Sequence, residues 1–205
     1  MPHPITKSEA QDVLSPYIDD IRSLITETIN GYYSAFEHSS LRVKLSRRSH
    51  ASICHDLVVN AIIERFEGVK GFGHLRRRGL FLLSVQGRIL LRFNMFDQNL
   101  MSHGIETKQL VSLRYQDVSQ LEFEDYPPDG LLHVGYCLNA LETGVEHVYV
   151  TYRFGKINVW EWELTQTQQT VVDQIQFTTQ TNTKPAAKRM PKLKTKNVGD
   201  ISETL

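Results

Sequence analysis

Residues 46 to 59 read SRRSHASICHDLVV and crowd two arginines, two histidines, a cysteine and an aspartate into a helix start. Those residue types support anion binding, nucleophilic or metal chemistry, or acid–base work. Taking Ser49 as N-cap places Arg47 and Arg48 just ahead of the helix. Exposed N–H groups and the helix dipole favour an anion there, and arginine binds phosphate bidentately. The competing reading has both arginines facing solvent or pairing with carboxylates. His55 and Asp56 are adjacent, so they point about 100° apart around a helix and make a poor dyad. His55 falls on the side of Val59, Ile62 and Phe66, which favours a hydrogen-bonded histidine at the core edge. His50 and Cys54 stand at i,i+4, within reach of a nucleophilic pair, but no third ligand has a matching spacing, and cysteine is more often a small buried hydrophobe. Asp56 shares a polar strip with Ser52 and Asn60, so it is expected to anchor a buried network or receive Arg47 or Arg92.

A second basic patch, HLRRRG over residues 74 to 79, joins Lys70 and His74 to Arg76, Arg77 and Arg78. It suits nucleic-acid phosphate or an acidic partner, and equally a solvated entry to a hairpin. A phosphate loop is absent, because no GKS or GKT follows the nearby glycines. A metal-dependent nuclease would need carboxylates and commonly a lysine. Asp97 with Glu106 and Lys108 has that composition, and Mg or Mn would be the cofactor. Glu161 and Glu163, two apart on a strand, could join Glu146 or Asp129, although a wet sheet face yields the same alternation. No other cofactor and no metal site is expected.

These residues need elements to hold them. Residues 15 to 36 predict a first helix, with Ser15 as cap, Pro16 in the first turn and a stripe of Ile18, Ile21, Ile25, Ile29, Tyr32 and Phe36. Residues 49 to 67 predict a second, apolar around most of its circumference and hence packed on several sides. Residues 80 to 93 read as a hairpin about a two-residue Gln86-Gly87 turn. That turn puts Leu80, Leu82, Ser84, Ile89, Leu91 and Phe93 on one face, and Phe81, Leu83, Val85, Arg88, Leu90 and Arg92 on the other. A short helix over 105 to 117 and strands over 132 to 138, 146 to 154 and 157 to 164 follow, the last two with one wet face. The expected fold is α+β: N-terminal helices packed on a mainly antiparallel sheet of about five strands.

One domain is expected over residues 1 to 177, with a disordered basic tail over 178 to 205. Within that tail, residues 184 to 196 hold six basic residues and no acid, among them Lys188, Arg189, Lys192 and Lys194. The formal net charge is +0, which argues against a surface wholly devoted to nucleic acid but leaves local basic patches open. No apolar run reaches membrane-spanning length, no signal peptide is evident, and two cysteines make no disulfide scaffold. A cytoplasmic location is expected. Phe81, Tyr149, Trp160 and Trp162 offer aromatic area to a homodimer or protein partner.

Three stretches resemble an uncharacterised family of bacterial proteins: SRRSHASICHDLVV, LFLLSVQGRILLRFNMFDQNLMSHGIETKQLV and LHVGYCLNALETGVEHVYVTYRFGKINVWEWEL. The first matches on Arg47, Arg48, His55 and Asp56, the second on Arg88, Arg92 and Phe93, while Asn94 and Met95 stand where the family carries lysines. Its members are thought to be encoded beside helix-turn-helix regulators or zinc-peptidase-like proteins of toxin–antitoxin and mobile-element modules. The resemblance implies a toxin or a regulatory partner. The leading expectation is therefore a non-enzymatic interaction protein of a bacterial defence, stress or mobile-element module, binding a protein and in part nucleic acid. The alternative is a nuclease-type toxin.

Overall fold

A computed structural model describes residues 4–77, 79–102, 107–117 and 129–165. They form an α+β fold, with N-terminal helices packed against a six-stranded, mostly antiparallel sheet. The chain starts with α1 (Lys7–Leu14), an element additional to those read from the sequence. Thr6 and Glu9 make its capping box: Thr6 Oγ1 accepts from Glu9 N at 3.3 Å, and Glu9 Oε2 accepts from Thr6 N at 2.8 Å. Helix α2 (Ile18–Ala35) buries Ile21, Ile25, Ile29 and Tyr32 of the expected stripe, and Tyr33 beside it. It begins later than expected. Ser15 closes α1 rather than capping α2, and its hydroxyl donates to Gln11 O at 2.6 Å.

After the short α3 (Leu41–Lys44) comes α4 (Arg47–Phe66). Its N-cap is Ser46, whose hydroxyl accepts from Ser49 N at 3.2 Å, so Ser49 is not the cap. This earlier start places Arg47 and Arg48 inside the first turn. The helix is also less enclosed than its composition predicts. Cys54, Val58, Val59, Ile62 and Phe66 are buried, but Leu57 is 38% exposed, and Ser52, Asp56 and Asn60 face outward instead of forming a buried network.

The sheet runs in sequence order through β1 (Phe72–Arg77), β2 (Leu80–Val85), β3 (Ile89–Met95), β4 (Gly130–Leu138), β5 (Val145–Phe154) and β6 (Ile157–Glu163). Every pair is antiparallel except β3 with β4, which requires a crossover, and α5 (Lys108–Arg114) lies on it. The residues expected as a basic patch or a solvated entry to the hairpin form strand β1. Its pairing with β2, from Phe72↔Val85 to Arg77↔Leu80, makes the basic patch an edge strand.

The hairpin register differs from expectation by one residue. Gln86 and Gly87 both take positive φ, and Arg88 N donates to Val85 O at 3.0 Å, yet the ladder pairs Val85 with Ile89. Arg88 is thus extra, as in a bulge. The slip exchanges the faces of β3 relative to β2. Phe81, Leu83, Val85, Ile89, Leu91 and Phe93 all enter the main core under the helices. Leu80, Leu82 and Leu90 join Leu131 and Leu113 of α5 in a smaller cluster on the opposite face.

Candidate functional site

Strand β3 outruns its hairpin partner. The β2–β3 ladder ends at Leu83↔Leu91, whereas β3 stays paired with β4 to Met95↔Tyr136. Beside that extension, the first half of α4 and the segment after β3 enclose a cleft of about 780 Å³. Its walls bring Arg47, Arg48, Ser52, His55 and Asp56 of α4 together with Arg92 and Asn94 of β3 and with Asp97. Residues 47–56 and 92–97, far apart in the sequence, therefore meet in one place.

The charges in and around this cleft are predominantly positive. Arg47 Nη2 reaches Glu142 Oε1 at 3.3 Å, with both side chains exposed. Burial pushes the Arg92 guanidinium down to about 10, and Arg153 and Arg114 push in the same direction. Arg92 Nη1 is buried and has no hydrogen-bond partner. His55 is half-buried. Burial lowers its pKa, with Arg92 and Arg76 adding to the effect, while Asp56 and a backbone hydrogen bond to Phe93 oppose it. Arg76 of β1 thus acts on the same histidine as Arg92 of β3. That link joins the two basic stretches, since His74 and Arg76 project from the helix-facing side of the edge strand beside Leu83 and Phe81.

The segment after β3 is held in place by internal bonds. Asp97 Oδ1 accepts from Asn99 N at 2.8 Å and from Met101 N at 2.9 Å. Leu100 takes a φ of 56°, in the left-handed region, and its carbonyl accepts from Arg153 Nη2 at 2.8 Å. Arg153 Nη1 donates to Ser102 Oγ at 3.3 Å. The Phe96 ring lies on Gly135, where an added Cβ would come within 2.5 Å of it. Arg153, only 2% exposed, stands over that ring at 5.9 Å from the centroid. Arginine on the strand face expected to be wet is therefore buried, and it braces the cleft wall.

The remaining candidates are placed elsewhere. His50 accepts from Tyr32 OH at Nδ1 (2.6 Å) and donates from Nε2 to Arg42 O (3.1 Å), so neither nitrogen serves Cys54. Cys54 is fully buried, and burial pushes its thiol up to about 11, the opposite of an activated nucleophile. Asp129 accepts from Arg88 Nε at 2.8 Å, and Glu163 Oε1 is 2.8 Å from His147 Nδ1. Among the described residues no group of three His, Cys, Asp or Glu side chains could hold a metal ion. Lys70 and Arg76 are exposed, and Lys108 opens α5 behind the Thr107 cap. Of the aromatics, Phe81 is buried in the core and so offers no surface to a partner. Trp160 donates Nε1–H to Ile5 O at 3.0 Å, Trp162 packs against the core, and Tyr149 stays half-exposed on the other face. Arg78, Glu106, Lys188, Arg189, Lys192, Lys194 and the whole of 178 to 205 lie outside the described residues, as does the side chain of Arg77.

No family model, curated protein or solved structure matches the chain. Its chemistry rests on the cleft itself. The arrangement offers guanidinium donors, a hydroxyl and amide donors around a cavity, next to the positive end of a helix of 20 residues. Ser52 shares the cleft with His55, and its hydroxyl donates to Arg48 O at 3.0 Å. Such a set suits an anion, while Asp56 and Asp97 stand in the same cavity. Among the described residues, no helix is long and apolar enough to cross a membrane.

Proposed function

We propose that the protein is an interaction protein that grips phosphate groups of a nucleic-acid partner in the cleft between α4 and β3. The observation that carries this reading is the convergence of Arg47 and Arg48, from the first turn of α4, with the half-buried Arg92 of β3 on one cavity. Arginine forks fit phosphate oxygens, and the helix start adds backbone donors to the same anion. A binding role agrees with the regulatory partnership in a defence or mobile-element module that the family resemblance implies. Asp56 and Asp97 share the cleft, which keeps the metal-dependent nuclease as the second reading.

Fluorescence anisotropy with labelled single-stranded and duplex DNA and RNA, at low salt, tests both. The full chain should bind, and Arg48→Ala should weaken binding about fivefold, the loss of one charged contact worth ~1 kcal/mol. Failure to bind any of the four oligonucleotides would end the phosphate reading. Cleavage that requires added Mg or Mn would replace it with the nuclease.

A further inference from the structure

The face of the sheet opposite the main core carries a row of polar residues of which Arg92 also lines the cleft. Register pairs Arg92 with His133 and His133 with Thr151, so the three project side by side from β3, β4 and β5. Strands in a sheet are about 4.8 Å apart, so these groups are immediate neighbours. His133 is 1% exposed and Thr151 0%. Each of the three has a buried polar atom without a partner: Arg92 Nη1, His133 Nε2 and Thr151 Oγ1. Unmet buried groups of this kind are rare in native proteins and point to an absent ligand or ion.

All three can donate. His133 Nδ1 lies 3.4 Å from Asn94 Nδ2, a donor, so Nδ1 accepts and the proton sits on Nε2. The threonine hydroxyl turns freely. Among the described residues the charged groups acting on His133 are Arg153 and Arg92 on the flanking strands and Arg114 on α5, all of them cations, and together with burial they favour the neutral imidazole. Arg153 donates to Asn158 Oδ1, Ser102 Oγ and Leu100 O. The acid that acts on it is Asp97. Among the described residues the row therefore presents two N–H donors and a hydroxyl that can turn to donate, beside positive charge. A halide accepts from all three and offsets that charge.

We propose that Arg92, His133 and Thr151 bind a chloride ion buried on this face of the sheet. The site goes beyond the phosphate reading of the cleft and stands if that reading fails. It is tested on the full chain by thermal melting while sodium gluconate is replaced by sodium chloride or bromide at constant ionic strength. Both halides should raise the melting temperature and saturate, as expected for binding to the native state. Thr151→Val removes one donor at almost constant volume, and should raise the half-saturating chloride concentration about tenfold. Crystals of the wild-type chain grown in bromide should show an anomalous peak in contact with Arg92 Nη1 and His133 Nε2. Equal melting temperatures in gluconate and halide would overturn the proposal. So would an unchanged chloride dependence in Thr151→Val, or bromide peaks confined to other places.

Discussion

At His133 the environment fixes the sign of a pH effect. Burial, with Arg153, Arg92 and Arg114 around it, holds the imidazole well below the ordinary value of 6.5, to which unfolding would return it. Between those two values the unfolded chain binds a proton that the native protein refuses. The stabilising contribution is thus complete above about pH 6.5 and is lost as pH falls below it, by at most ~1.4 kcal/mol for each pH unit. His55, also lowered chiefly by burial, acts in the same direction. Melting temperature in halide-free buffer should therefore decline from pH 7 to pH 5. His133→Gln, which keeps a donor and cannot titrate, should flatten most of that decline. Parallel curves for variant and wild type would assign the effect to other groups. The same surroundings explain why no catalytic role is given to the opening cluster: its histidines are committed, His50 to Tyr32 and Arg42, and His55 to the core edge beside Phe93.

The cleft depends on how its elements are joined, and Gly135 is the joint most open to test. A methyl group there would occupy the Phe96 ring position, so Gly135→Ala should expel the ring and release the segment that Arg153 and Asp97 hold. Destabilisation of ~1–3 kcal/mol is the usual cost of overpacking, read as a shift of the denaturation midpoint. Oligonucleotide binding should weaken with it, since Asp97 and Ser102 line the cleft. A variant with native stability and affinity would show that this segment is not braced as described. Local patterns in the sequence reached part of this arrangement. The stripe of α2 and the alternation of β6 are periodicities that burial enforces, and both were legible. Helix α1 was missed although Thr6 and Glu9 carry the T-x-x-E spacing of a capping box. Strand β1 was missed because a basic edge strand has the composition of a loop. The hairpin register failed because the extra residue, Arg88, depends on how the turn meets the ladder. The Arg92–His133–Thr151 row was beyond any local reading, because it exists through the parallel pairing of strands separated by the whole crossover.

Across the whole molecule the charges cancel, with 23 basic and 23 acidic side chains. A long-range field that would gather polyanions is therefore not expected, and binding should depend on the few cations that touch phosphate. Three arginines line the cleft, Arg47, Arg48 and Arg92, while residues 184 to 196 add six basic residues in the part of the chain outside the described residues. Counterion release turns these counts into a measurable slope. On duplex DNA, log K should fall with log salt at about −0.9 for each phosphate neutralised. A chain ending at residue 183 should then show a slope of about −2 to −3, and the full chain a steeper one, approaching about −8 if every basic residue of the tail engages. Arg48→Glu in the shortened chain should flatten the slope by about one further step. Affinity measured from 50 to 300 mM salt separates the two contributions, where a single measurement would merge them. Equal slopes for the full and shortened chains would remove the tail from the interface and leave the cleft as the whole of it. A slope near zero in the shortened chain would mean that its arginines do not meet phosphate, whatever the full chain binds.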